Sequence, residues 1–198
     1  MCGRFYIDDD TAREIEKTIR MVDDKLKKER LSRDINPTES APVIIYQQNH
    51  LLAADKKWGF PGFDSGKVIF NARSETVLEK KMFRESVLRR RAVIPASGFY
   101  EWNRQKEKVT FTSALTEQPI LYMAGFYNRY EDTDRFVILT TVANDSIADV
   151  HERMPLLLRQ QEVEEWLSDE HMLESFLNST PHGLKRKMEY QQQSLFFL

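Results

Sequence analysis

Residues 92–142, AVIPASGFYEWNRQKEKVTFTSALTEQPILYMAGFYNRYEDTDRFVILTTV, decide the fold class. Five runs within them, 92–94, 98–103, 108–113, 119–127 and 135–142, are continuously apolar or alternate apolar with polar, and polar turns separate them. Alternation with period two belongs to a strand with one buried face, and a short continuous apolar run to a strand covered on both faces. The pattern predicts an antiparallel or mixed sheet that curls around a core.

Upstream, an acidic cap at Asp8, Asp9 and Asp10 precedes Ala12, Ile15, Ile19, Val22 and Leu26, which predict one amphipathic helix ended by 33–36 and Pro37. Residues 42–46 and 51–54 read as a hairpin about 47–50, residues 57–63 as an irregular aromatic loop, and 68–70 as a short strand. The segment 76–91 is helical, with Val77, Met82, Phe83, Val87 and Leu88 facing inward, and 162–167 and 171–177 are short helices. Pro181 begins the last irregular stretch. Neither an internal repeat nor a glycine-rich phosphate loop occurs. The expectation is a single α+β domain over 1–198, β-rich with a mixed sheet and peripheral helices, and a divergent C-terminal tail at 181–198.

With 41% hydrophobic residues in 198, the chain can bury one sizeable core. Its 29 Lys and Arg against 31 Asp and Glu give a formal charge of -2, so a nucleic-acid surface must be a local patch, such as Lys80, Lys81, Arg84, Arg89, Arg90 and Arg91. A single cysteine excludes an internal disulfide framework and a cysteine-rich zinc site. No cofactor and no metal are expected, and the default location is the cytoplasm. No segment reaches the roughly 18 consecutive apolar residues of a membrane span, so no membrane partner is expected, and the chain is read as a monomer.

That one cysteine is Cys2. Removal of Met1, which the small second residue permits, makes it the N-terminus. Its α-amine (pKa about 7.7–8.0) and thiol (about 8.5) then share one carbon skeleton and are both partly nucleophilic near neutrality. The amine can condense with an aldehyde to an imine, and the thiol can add to the same carbon to close a five-membered thiazolidine. A buried, inert cysteine is the alternative.

Glu101 lies between Tyr100 and Trp102 in a strand-like run, where it points opposite to both. Facing a cleft it could pass protons to and from a carbinolamine or imine; facing solvent it would do nothing special. Thr140 to Asn144 and His151 to Pro155 gather polar side chains after a strongly apolar strand. His151 suits donation to a sugar oxygen and Arg153 a phosphate clamp, though either could brace the following apolar run. Asn71 and Arg73, two apart, share a face of an extended segment, and Arg4 is a candidate to join them. Trp58, Phe60 and Phe63 offer base-stacking platforms or a wedge, with core packing as the competing role.

Taken in order, Cys2-Gly3-Arg4-Phe5, Asn36-Pro37-Thr38, Trp58-Gly59, Asn71-Ala72-Arg73-Ser74-Glu75, Pro95 through Trp102 and Thr140 through Pro155 resemble the SOS response-associated peptidase (SRAP) family over about 1–180. The resemblance implies a pseudo-barrel α+β fold with a positively charged DNA channel, similar to a vertebrate abasic-site shielding protein. It implies binding of abasic sites in single-stranded DNA, including single-strand/double-strand junctions, and a thiazolidine crosslink to the ring-opened deoxyribose aldehyde. Cys2 matches the nucleophile, Glu101 the catalytic glutamate, His151 the histidine that helps open the sugar, and Asn71 an asparagine near the attachment point. Arg4, Arg73 and Arg153 match phosphate contacts, Trp58 and Phe60 the loop at the lesion, and Pro37 a turn beside it; Thr140 completes the DNA-contact set. The family pattern ends in a Val-Ser-x-x-Val-Asn-like strand that this chain lacks.

Two other functions suit the same residues. A noncovalent reader of damaged DNA needs the arginines and aromatics but not the Cys2 thiol. A cysteine-type peptidase or autopeptidase would use Cys2, Glu101 and His151, yet no acyl-specificity pocket is legible in the sequence.

Overall fold

The computed structural model describes residues 3–18, 21–22, 32–64 and 66–188. β1 (Phe5–Ile7) leads into α1 (Asp9–Thr18), capped by Asp8, whose carboxylate accepts the Thr11 N–H at 2.8 Å. The helix is shorter than the apolar series predicts. By β2 (Met21–Val22) the chain is extended and hydrogen-bonded to a neighbouring strand, so Val22 belongs to a sheet; Ile19 and Leu26 lie outside the described residues. After β3 (Arg33–Ile35) come β4 (Ser40–Gln47) and β5 (His50–Trp58). These two form the expected hairpin, and positive φ at both Gln48 (51°) and Asn49 (62°) identifies the two-residue turn that matches strand twist.

Residues 57–63 are more regular than expected, because β5 runs through Trp58 and β6 (Phe60–Pro61) pairs with β7 (Val68–Ile69). β8 (Asn71–Arg73) and α2 (Lys81–Arg89) follow, with Val77 and Val87 buried on the predicted inward side. The five decisive runs become β9 (Arg91–Ala96), β10 (Gly98–Trp102), β11 (Lys108–Ser113), β12 (Leu121–Tyr130) and β13 (Thr133–Val142). Beyond them lie β14 (Arg153–Pro155), β15 (Leu157–Leu158), α3 (Val163–Ser168), α4 (Leu173–Leu177) and β16 (Leu184–Met188). The stretch after Pro181 is therefore not all irregular. β16 pairs antiparallel with β11 despite lacking the family's segment; Leu184 is buried, and the consecutive Lys185, Arg186 and Lys187 are exposed.

Five strands close on themselves in the order β4, β5, β13, β12, β9 and back to β4, every pairing antiparallel except β5 with β13. Closure leaves no free edge within the ring, which explains why β9 and most of β12 are buried on both faces. A second sheet, in the order β16, β11, β10, β1, β3, turns Phe5, Phe99 and Phe111 inward. This is an α+β pseudo-barrel with flanking helices.

The closing parallel pair aligns Arg135 with Lys57 and Phe136 with Trp58. Just past it, the Gly59 N–H donates to the Phe136 carbonyl at 2.8 Å and the Arg135 guanidinium donates to the Gly59 carbonyl at 3.2 Å. Gly59 has φ of 105°, and a Cβ there would fall 2.1 Å from Val68 Cγ1. Gly59→Ala is expected to lower stability by about 1–3 kcal/mol through backbone strain and overpacking together. Urea denaturation measures this, and an unchanged midpoint would mean that the closure tolerates a side chain here.

Candidate functional site

Trp58 ties together the elements that carry the candidate residues. Its indole is wholly buried, edge-on to Phe5 of β1 at 5.1 Å and stacked on Phe136 at 6.1 Å, and its Nε1–H donates to the Phe70 carbonyl at 2.9 Å. Its backbone N–H and carbonyl engage the 36–39 turn, donating to the Glu39 carbonyl and accepting the Thr38 N–H, each at 2.8 Å. β1, the turn and the residue before Asn71 are thereby fixed to one side chain.

That turn holds Pro37, partly buried, and Asn36, whose Oδ1 accepts from Arg4 Nε at 2.9 Å. Glu39 stabilises the turn by accepting the Asn36 N–H at 2.6 Å. The Arg4 guanidinium also lies over Trp102, 5.6 Å from the ring centroid, and Trp102 is 40% exposed. Glu101, by contrast, is only 4% exposed. β1 and β10 run antiparallel with Phe5 opposite Phe99 and Tyr6 opposite Gly98, and the Tyr100 N–H donates to the Arg4 carbonyl at 3.0 Å. Cys2 itself lies outside the described residues; it is peptide-bonded to Gly3.

β8 runs parallel to β13, aligning Asn71 with Ile138 and Arg73 with Thr140. Ala72 points into the core while Asn71 and Arg73 take the opposite face, Asn71 half-buried and Arg73 exposed. β14 flanks β13 on the other side, bringing Arg153 beside Val142. Arg153 is buried, donating bidentately to Glu75 at 2.5 and 2.8 Å and to the Thr140 carbonyl at 2.6 Å. These hydrogen bonds, with Arg73 adding attraction, hold the Glu75 carboxyl below the usual carboxylate range against partial desolvation. The Arg153 N–H donates to His151 Nδ1 at 3.0 Å, which fixes the neutral imidazole in the tautomer carrying its hydrogen on Nε2.

Several expected contacts are corrected by burial. Trp58 and Phe60 are core residues, with Phe60 packed on Phe83, Phe126 and Tyr130, so neither presents a ring face to a base; the exposed ring of that segment is Phe63, at 90%. Thr140 is enclosed, its hydroxyl 3.4 Å from the Ala72 carbonyl. Arg153 has both terminal nitrogens engaged and braces β13 to the residues after β8, whereas Arg73 faces outward. In the basic run, Arg91 is buried against the Trp166 and Leu167 carbonyls, Arg89 pairs with Glu170 and Arg90 with Glu85. Asn36, Glu75 and Trp102 were not chosen as candidates from sequence, although each lies within a motif that carries the family resemblance.

A family model described as SOS response associated peptidase (SRAP) matches residues 1–192. The abasic site processing protein YoaM of Bacillus subtilis (strain 168) is 29% identical over 178 residues, covering 83% of this chain and 78% of that protein. The abasic site processing protein YedK of Escherichia coli (strain K12) is 28% identical over 144 residues, covering 69% and 64%. In fold, an X-ray structure of a Bacteroides thetaiotaomicron protein superposes with a TM-score of 0.78 at 22% identity, covering 96% of this chain and 93% of that one.

Because the Glu75 carboxyl has a lowered pKa in the folded state, its contribution is complete above the unfolded carboxylate pKa and is lost as pH falls through the lower folded value. Glu75→Gln should therefore cost about 1–2 kcal/mol at neutral pH, moderated because the carboxylate is partly solvated, and progressively less in acid. Chemical denaturation at pH 7 and below pH 4 measures this; a deficit independent of pH would exclude the ion pair as its source.

Proposed function

Because the chain belongs to the SOS response associated peptidase (SRAP) family, we propose that it processes abasic sites in single-stranded DNA by covalent capture at Cys2. The observation that carries this reading is the pairing of β1 with β10, with the Tyr100 N–H on the Arg4 carbonyl: the chain two residues after Cys2 runs along the strand that carries the buried Glu101. On this reading the N-terminal amine and thiol of Cys2 work with a carboxyl group, that of Glu101, which is shielded from bulk water.

The lesion's cyclic hemiacetal must open before it reacts. In this reading the donor to the sugar oxygen is the Nε2–H of His151. The Cys2 amine then adds to the C1 aldehyde to give a carbinolamine, and loss of water gives the imine. Glu101 in its acid form protonates the departing hydroxyl, and its carboxylate recovers a proton as the amine is deprotonated. Addition of the Cys2 sulfur to the imine carbon forms the C–S bond, the former thiol proton ends on nitrogen, and a neutral thiazolidine results. Ring closure removes the C=N bond through which β-elimination would cut the strand.

Around this centre Arg4 and Arg73 are phosphate contacts, and Asn71 offers an amide to the sugar. Trp102 and Phe63 are the exposed aromatics suited to flanking bases, in place of Trp58 and Phe60. Arg153 acts by holding His151 and Thr140 in position. Preference for a single-strand/double-strand junction belongs to this proposal. No second reading has a structural observation of its own.

An abasic oligonucleotide incubated with protein and run on a denaturing gel tests the chemistry. Wild type should give an adduct that survives without borohydride, whereas Cys2→Ala, which keeps an α-amine, should need reduction and release more cleaved strand. A stable unreduced adduct from Cys2→Ala at wild-type yield would exclude the thiol. Glu101→Gln should slow adduct formation by about 10²-fold or more while changing noncovalent affinity little; equal rates from pH 5 to 9 would remove Glu101 from proton transfer.

A further inference from the structure

His151 is held from two directions. Arg153 takes its Nδ1 from the β14 side, and the chain that leads into it from β13 is folded into compact turns that start at Asn144. The Asn144 carbonyl accepts the Ile147 and Ala148 N–H groups at 3.1 and 3.0 Å, and the Ile147 carbonyl accepts the Val150 and His151 N–H groups at 2.8 and 3.0 Å. The Ala143 N–H closes the base of these turns on the Glu152 carbonyl at 3.0 Å. Ile147 is wholly buried and anchors them to the core. The main chain thus passes from Asn144 through Ile147 to His151 by successive hydrogen bonds.

The Asn144 side chain reaches out of the turns. Its Nδ2 donates to the Pro181 and His182 carbonyls at 2.9 and 3.2 Å, while its Oδ1 accepts the Ser146 N–H at 3.0 Å and the Ser146 hydroxyl at 2.5 Å. Ser146 Oγ in turn accepts the Leu184 N–H at 3.0 Å, at the start of β16. β16 pairs with β11, and β11 with β10, the strand of Glu101. The same ties therefore fix the turns before His151 relative to the sheet that carries Glu101. At this side-chain length only asparagine offers two N–H donors for the two carbonyls together with an acceptor for Ser146; an aspartate accepts and cannot donate. An ion pair of Asp149 with Arg186 joins the same two segments, but both side chains are about half exposed, so it adds little.

We propose that Asn144 is a positioning residue for His151: by gripping residues 181–182 it fixes the turns 144–151, and with them the imidazole, against the sheet of Glu101. This rests on the proposed donation from His151 to the sugar oxygen, and it gives residues 181–184, where the chain leaves the family pattern, a part in placing the site. Asn144 acts only through His151.

Two measurements on the full chain test this. Long-range ¹⁵N–¹H spectra, with the His151 signal assigned by its loss in His151→Ala, should show a single tautomer protonated on Nε2 in wild type and an average of tautomers in Asn144→Asp. Adduct formation with abasic single-stranded DNA should slow about tenfold in Asn144→Asp at saturating DNA, with the half-saturating DNA concentration unchanged. In a His151→Ala background the same substitution should cause no further slowing, because the group it positions is gone, whereas a merely structural loss would slow both backgrounds alike. Ser146→Ala should move the spectrum and the rate in the same direction by about threefold in rate, and it decides the matter if circular dichroism shows Asn144→Asp unfolded. A wild-type tautomer in the folded variants, or equal slowing with and without His151, would overturn the assignment. If wild type forms no adduct, the proposed function fails while the spectra still decide whether Asn144 positions the ring.

Discussion

The buried indole of Trp58 is the constraint on which the rest of this molecule depends. It sits where β5 meets β13 to close the barrel, and it touches, in one side chain, the second sheet through Phe5, the barrel through Phe136 and the approach to Asn71 through Phe70. Its main chain holds the turn that carries Asn36 and Pro37. Burying a ring of this size against well-packed neighbours contributes about 3–5 kcal/mol, and its single N–H is satisfied, so no polar cost offsets the gain. The consequence for function is geometric: Trp58 packs residues as far apart in the chain as Phe5 and Phe136 together where the barrel closes.

Around that anchor the polar residues divide by exposure. Arg153, Thr140 and Glu75 form a bracing set whose charges and hydrogen bonds are largely consumed within the protein, while Arg73 and Trp102 are exposed and Arg4 is half-buried between Asn36 and Trp102. Similar side chains thus serve opposite purposes. Arg73 and Arg153 both lie on strands adjoining β13, and what separates their roles is which one Glu75 reaches with both oxygens. Removing a braced arginine disturbs the strands; removing an accessible one should leave the fold intact.

Much of this was legible in the sequence, and the failures share a cause. The five strands from 91 to 142 follow from period-two patterning, because alternation reports burial of one face directly. The hairpin at Gln48 and Asn49 follows from local turn chemistry. The helix of 9–18 was drawn too long because Val22 fits a helical stripe and a strand equally well, and only its neighbour in β5 decides between them. Trp58 and Phe60 look like surface aromatics when glycines and a proline surround them; their burial depends on Phe5, Phe126 and Phe136, far away in sequence. Asn71 and Arg73 were placed on one face correctly because that requires only an extended backbone. Pairing of Arg153 with Glu75 is a contact across 78 positions, and nothing in local spacing reveals it.

The proposed chemistry puts both reactive nucleophiles on one residue, Cys2, with Glu101 as the proposed proton-transfer group. Mass spectrometry of the peptide recovered after nuclease and protease digestion of the adduct, without prior reduction, examines that idea most directly. The sugar remnant should be found on the peptide beginning at Cys2, with the mass of condensation minus one water and no free thiol. A remnant located on a lysine or arginine, or a Cys2 peptide whose thiol still alkylates, would contradict it.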